Sequence, residues 1–158
     1  MRIREAKEAE YGRLLEIWEA AVRVTHDFLR DEHIDFYRSR MLGSYFKDVE
    51  LLVAEIAPGE PEAFMGLLAP VKIVMEGREI DRPAHLAMLF VHPRSHRQGL
   101  GRALVEHAAA LYGSLATDVN EQNPGALRFY EKCGFILTGR SENDEEGNPF
   151  PMLHMLRS

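Results

Sequence analysis

His85-Leu-Ala-Met-Leu-Phe-Val-His-Pro-Arg-Ser-His-Arg-Gln-Gly-Leu-Gly-Arg-Ala-Leu104 joins an apolar run, a basic loop and a helix start without interruption. The run from Leu86 to Val91 predicts a strand that stops at Pro93. A helical pattern opens at the glycines, with Leu100, Ala103, Leu104, His107, Ala108 and Leu111 on one face. A strand entering a helix through Gly-x-Gly suits an anion. The first helical N–H groups have no partner inside the helix, and the helix dipole places partial positive charge there. Gly99 and Gly101 have no side chain to keep a pyrophosphate away, and Arg97 and Arg102 add charge beside it. Leu104 stands where a Rossmann fingerprint requires a third Gly or Ala, and the Gly-Lys-Ser/Thr of a Walker A loop is absent. Alone, Gly-x-Gly also describes a plain turn before a helix.

A second informative stretch is Asn120-Glu-Gln-Asn-Pro-Gly-Ala-Leu-Arg-Phe-Tyr-Glu-Lys-Cys-Gly-Phe135. Asn123 is an N-cap, Pro124 fits the first helical position and Gly134 the exit. Ala126, Phe129, Tyr130 and Cys133 fall on the side to be buried. Before it, Leu115–Val119 reads as a strand reached through a helical crossover, hence parallel to the central strand with a right-handed connection. Ile136–Ser141 and Phe150–Leu156 form a closing hairpin around Glu142, Asp144, Glu145 and Glu146.

Upstream, Met1–Arg4 is a short strand. Ala6 to Thr25 forms a helix with Tyr11, Leu14, Leu15, Trp18, Ala21, Val22 and Thr25 on one face. Thr25-His-Asp-Phe-Leu29 breaks the pattern, and a second helix runs from Asp31 to Leu42, ended by Gly43. Glu50–Ile56 is a strand, Pro58–Pro61 a turn, and Ala63–Val74 one long strand or two pieces broken at Pro70. Glu76-Gly77 turns the chain back.

At 158 residues and 46% hydrophobic content, the chain supports one core and one domain, 1–158. The charged N-terminus does not resemble a signal peptide, and no apolar run approaches the roughly 20 residues of a membrane span. Cys133 is the single cysteine, so no internal disulfide forms, and a cytoplasmic location is expected. A net charge of −6 argues against general nucleic-acid binding and favours cationic partners where it is focused.

The first stretch resembles motif A, and Asn123–Phe135 motif B, of the GNAT superfamily of acetyl-CoA-dependent N-acetyltransferases. Thr25–Leu29, Val119–Asn123, Thr138–Glu142 and Gly147-x-Pro-x-Pro151 are similar to its YjaB-type subgroup of small bacterial enzymes. The resemblance implies a mixed α/β (α+β) fold: a twisted, mostly antiparallel sheet of six to seven strands with about four helices. It also implies that the fourth and fifth strands are parallel and splayed. It names acetyl-CoA as cosubstrate, held by Leu89, Phe90, Val91, His96, Arg97, Gln98, Gly99, Leu100, Gly101, Arg102, Ala103, Asn123 and Tyr130. His96 occupies a position where the family usually has Gln or Arg.

The implied reaction is direct transfer of acetyl to a primary amine through a ternary complex. The acceptor is a protein lysine or N-terminus, or a small amine, and the protein a monomer or homodimer. Neither nucleic acid nor membrane is an expected partner. Tyr130 is the expected acid, since a phenol with pKa about 10 stays protonated at neutral pH. Asn123 and Tyr130, seven residues apart, lie on one helical face about 10.5 Å from each other. An amine of pKa about 10.4 is neutral in only about one molecule in 2,500 at pH 7, a cost of about 4.6 kcal/mol, so a base or burial must help. His85 and His26 are the candidates. His92 and His96 are separated by Pro93 and make no helical metal pair, and no metal is expected. An alternative of another class is a non-catalytic acyl-CoA-binding sensor, against which the retained Tyr130 counts.

Overall fold

The computed structural model describes residues 1–27 and 29–158. Strand β1 (Arg2–Glu5) leads to helix α1 (Tyr11–Thr25), then α2 (Asp31–Arg40) and the short α3 (Phe46–Asp48). Strands β2 (Glu50–Glu55), β3 (Pro61–Leu68), β4 (Val71–Met75), β5 (Arg78–Arg82) and β6 (Ala84–Val91) follow. Helix α4 (Leu100–Tyr112), strand β7 (Leu115–Asn120), helix α5 (Pro124–Lys132) and strands β8 (Ile136–Ser141) and β9 (Met152–Arg157) complete the chain. Seven strands form one sheet in the order β1-β2-β3-β6-β7-β9-β8, and β4 and β5 form a separate ribbon. This is the mixed, mostly antiparallel architecture read from the sequence. No helix among the described residues is long and apolar enough to cross a membrane.

The chain packs as two compact units. The first comprises Met1–Leu68 and Ala87–His107. Its core joins Leu14, Ile17, Trp18 and Val22 of α1 to Ile34, Met41, Phe46, Val53, Phe64 and Met88. Phe46 and Phe64 pack edge to face with centroids 5.8 Å apart, and burying such a ring stabilises by about 1.5–3 kcal/mol. The α1 apolar residues recur every three or four positions, which places them all toward this core. Helix α1 starts at Tyr11 rather than Ala6, because Glu8–Glu10 form a 3-10 turn. There the Glu10 carboxylate accepts from Lys7 N and from Arg4.

Gly43 does not end the second helix as expected. Residues Met41–Tyr45 continue as a π-helical turn into α3, where Phe46 is buried. Burial of Met41 and Phe46 holds the helical path across a residue that would otherwise favour a stop. Phe28, within the expected Thr25–Leu29 break, lies outside the described residues.

The second unit comprises Ala69–Leu86 and Ala108–Ser158. The expected parallel pairing of the fourth and fifth strands is corrected here. In chain order these are β4 and β5, and they pair antiparallel. The chain breaks at Ala69-Pro70, and the β4–β5 hairpin adds two strands ahead of the central one. Glu76 and Gly77 form its two-residue turn, both with positive φ (50° and 75°), which matches the twist of a hairpin. The parallel pair is β6–β7, in the register Ala84↔Leu115, His85↔Ala116, Leu86↔Thr117. β7 and β9 pair antiparallel, as do β8 and β9. Along β7, buried Leu115, Thr117 and Val119 alternate with half-buried Ala116, Asp118 and Asn120, so successive side chains serve opposite faces.

Candidate active site

In the first unit, β6 ends at Val91 and the chain turns through Pro93–Ser95 before α4. Arg97 and Gly99 both adopt left-handed backbone (φ 64° and 80°). For an arginine this conformation costs about 1–2 kcal/mol, a strain that sequence patterns do not reveal. A Cβ at Gly99 would meet nothing within 4 Å, so the space in front of it is open. Gly99 O accepts from Ala103 N at 2.9 Å and closes the first turn of α4. The N–H groups of Leu100, Gly101 and Arg102 therefore precede the helical ladder and are available to an anion. Arg97, Gln98 and Arg102 are exposed around them, while Leu100 is buried. His96 donates from Nε2 to the Val91 carbonyl at 3.0 Å, so its ring folds the loop back onto the end of β6. Open space at Gly99, left-handed turns and two arginines fit a pyrophosphate-bearing ligand.

Glu62, which sequence reasoning missed, organises the approach to this loop. It is 6% exposed. Its Oε2 accepts from Ser95 Oγ at 2.7 Å and Arg94 Nε at 3.0 Å, and its Oε1 from Arg13 at 3.2 Å and from the second Arg94 nitrogen. The Glu62 carbonyl also accepts from His92 N at 2.8 Å. Arg94, above all, holds the carboxyl down at about 2, against the opposing effect of burial. The signal in sequence is a lone acid inside the apolar run of β3. Its partners lie 32, 33 and 49 residues away and cannot be paired by inspection.

His26, also in the first unit, follows the last turn of α1. Its Nδ1 shares a hydrogen bond of 2.8 Å with Thr25 Oγ1, and burial lowers its pKa. His85 and Tyr130 belong to the second unit. Tyr130 is buried on α5, with Phe129 and Phe135 at ring centroids 5.1 and 5.2 Å away. Burial pushes its phenol well above the ordinary value, and a hydrogen bond with Thr117 partly offsets this. Thr117 Oγ1 in turn donates to the Leu86 carbonyl at 2.9 Å.

His85 Nε2 lies 3.6 Å from Asp118 Oδ2. Because Thr117 and Asp118 are successive on β7, the Tyr130 hydroxyl and the His85 ring occupy opposite faces of the β6–β7 ladder. Asn123 caps α5 as expected, its Oδ1 accepting from Ala126 N at 3.1 Å, which leaves its amide NH2 as the group to offer a ligand. Among the described residues, no group of three His, Cys, Asp or Glu side chains is arranged to hold a metal ion.

The family model of the acetyltransferase (GNAT) domain matches residues 46–156. The peptidyl-lysine N-acetyltransferase YjaB of Salmonella typhimurium (strain LT2) is 36% identical over 99% of this chain and 97% of its own length. The solution structure of apo YjaB from Escherichia coli superposes with a TM-score of 0.78 at 36% identity, covering 98% of this chain and 95% of that one. An N-acetyltransferase from Thermoplasma acidophilum, solved in complex with coenzyme A, shares the fold. Its TM-score is 0.73 at 19% identity, over 99% of this chain and 98% of that one. The YjaB-type likeness read from four short stretches therefore extends over nearly the whole sequence, and the chain belongs to the GNAT family of acetyltransferases.

Proposed function

We propose that the chain works as one domain that transfers acetyl from acetyl-CoA to a primary amine, with the side chain of a peptidyl lysine as acceptor. The observation that carries this reading is the loop before α4. There, left-handed Arg97 and Gly99 present successive N–H groups beside Arg97 and Arg102. Support for the acceptor comes from the YjaB relative, whose name is that of a peptidyl-lysine enzyme. Bound acetyl-CoA supplies an activated acetyl thioester.

The chain's own residues do the rest. The N–H groups of Leu100–Arg102, with Arg97 and Arg102, bind the pyrophosphate. Gln98 and Ala103 flank that site, and His96 fixes its entry. Backbone groups of Leu89, Phe90 and Val91 hold the pantetheine arm, aided by the Asn123 amide. Tyr130 stays protonated throughout the working pH range because burial disfavours its phenolate, and it offers that proton to the departing sulfur. His85 removes the proton from the amine. His26, kept neutral by burial, lines the acceptor side. The chain acts in the cytoplasm, as a monomer or homodimer.

The test is a thiol-release assay with acetyl-CoA and a panel of lysine peptides, N-terminal peptides, polyamines and amino acids. Lysine peptides should give the highest kcat/KM. A small amine that outperforms every peptide would overturn the acceptor assignment.

A further inference from the structure

We infer that Asp118 is a positioning residue for the base: it fixes the His85 ring and is itself locked in place by His154 and Ser141. This rests on the reading of His85 as the base. The four side chains come from β6, β7, β9 and β8, successive strands of the sheet. The register places them on one face. His85 is opposite Ala116, two residues before Asp118; Asp118 is opposite His154; Ser141 is opposite Met152, two residues before His154.

The contacts follow that order. Asp118 Oδ2 is 3.6 Å from His85 Nε2, and Asp118 Oδ1 is 2.5 Å from His154 Nδ1. Ser141 Oγ is 2.7 Å from His154 Nε2. One carboxylate thus serves two imidazoles, one through each oxygen. The titratable groups facing it are His85 from β6 and His154 from β9, with the Ser141 hydroxyl of β8 behind the second ring.

At 3.6 Å the Asp118 carboxylate lies just beyond hydrogen-bond length from His85 Nε2, and its negative charge favours the tautomer that carries the proton on that nitrogen. That leaves Nδ1 with the lone pair. Nδ1 is then the atom that receives one proton from the acceptor ammonium. The imidazolium so formed lies beside an anion and later releases its proton to solvent, returning the ring to its starting tautomer. The role is that of the orienting acid in a Ser-His-Asp triad, here serving an amine instead of a hydroxyl. His154 and Ser141 hold Asp118 from the far side. The carboxylate therefore keeps its aim while the His85 side chain, 29% exposed, meets the acceptor.

The experiment compares Asp118→Asn, His154→Gln, Ser141→Ala and His85→Gln with the parent. Steady-state kinetics use a lysine peptide, calorimetry measures acetyl-CoA affinity, and ¹H–¹⁵N correlation of the imidazoles reads the His85 tautomer. Asp118→Asn should keep the acetyl-CoA affinity, lower kcat by about 10²–10³ with little change in peptide KM, and lose the pure Nε2–H tautomer. Ser141→Ala and His154→Gln should give smaller losses in the same direction, and Asp118→Glu partial rescue. If Asp118→Asn fails to fold, the other two carry the test. An unchanged kcat and tautomer in them, or in a folded Asp118→Asn, would overturn the positioning role while a collapse in His85→Gln leaves the base in place. Normal turnover by His85→Gln would remove the base, and the positioning role with it.

Discussion

Replacing Glu62 by Gln keeps the shape of the side chain and removes the charge that Arg94, Ser95 and Arg13 converge on. Holding that carboxyl at about 2 instead of 4.5 is worth at most about 3.4 kcal/mol, at about 1.36 kcal/mol per pH unit. Arg94 is 58% exposed, so solvent screening reduces the expected loss to about 1–2 kcal/mol. For a chain of this size that lowers Tm by about 2–8 °C.

The sign with pH follows from the depressed pKa. The contribution is complete above about pH 4.5 and is lost as pH falls toward about 2, because the unfolded chain takes up the proton first. Urea unfolding of both proteins at pH 7, 4 and 3 reads this directly. The gap between them should be full at pH 7 and shrink to roughly 40% at pH 3. Calorimetry at pH 7 should also show weaker acetyl-CoA binding by the variant, since the His92–Ser95 segment leads into the Arg97–Gly101 loop proposed to hold the pyrophosphate. Equal midpoints at pH 7, or a gap that does not change with pH, would refute the reasoning.

Gly99→Ala meets no steric obstacle but places a side chain at φ 80° and in the open space before the loop. It should cost about 1–2 kcal/mol of stability and weaken acetyl-CoA affinity measurably by calorimetry. Tyr130→Phe should leave acetyl-CoA affinity nearly unchanged and slow the chemical step by about 10²–10⁴, seen in single-turnover kinetics. Glu145→Gln combined with Glu146→Gln should raise KM for a cationic peptide and flatten the salt dependence of kcat/KM, as steering fades when the Debye length shortens from about 10 Å at 0.1 M to about 3 Å at 1 M. Asp144 is left intact in that variant because its carboxylate accepts from the N–H groups of Glu146 and Asn148 and shapes the turn.

What the sequence discloses is the part written in local chemistry. Asn123-Pro124 announces the start of α5 because capping is settled within three residues. Glu76-Gly77 announces a hairpin, since its turn needs positive φ at both positions. The strand and helix around Gly99–Gly101 are legible for the same reason. Gly43 misleads because tertiary burial of Met41 and Phe46 outweighs a local stop signal. The left-handed Arg97 has no sequence signature, as nothing in its neighbours demands it. Glu62 and Asp118 stay hidden for another reason. Each gains its meaning from partners at least 32 residues away, brought close by strand order and register. Thr117 and Asp118 are adjacent in the chain, yet the pleat sends one toward Tyr130 and the other toward His85 and His154.

The most direct test is to incubate the purified protein with acetyl-CoA and a lysine peptide, follow free thiol, and locate any acetyl group on the peptide by mass spectrometry. Thiol should appear in step with acetylated peptide, one for one, with the acetyl on the lysine side chain. Acetyl-CoA that binds, yet releases no thiol with any amine offered, would contradict the assignment as a transferase and leave only a binding protein.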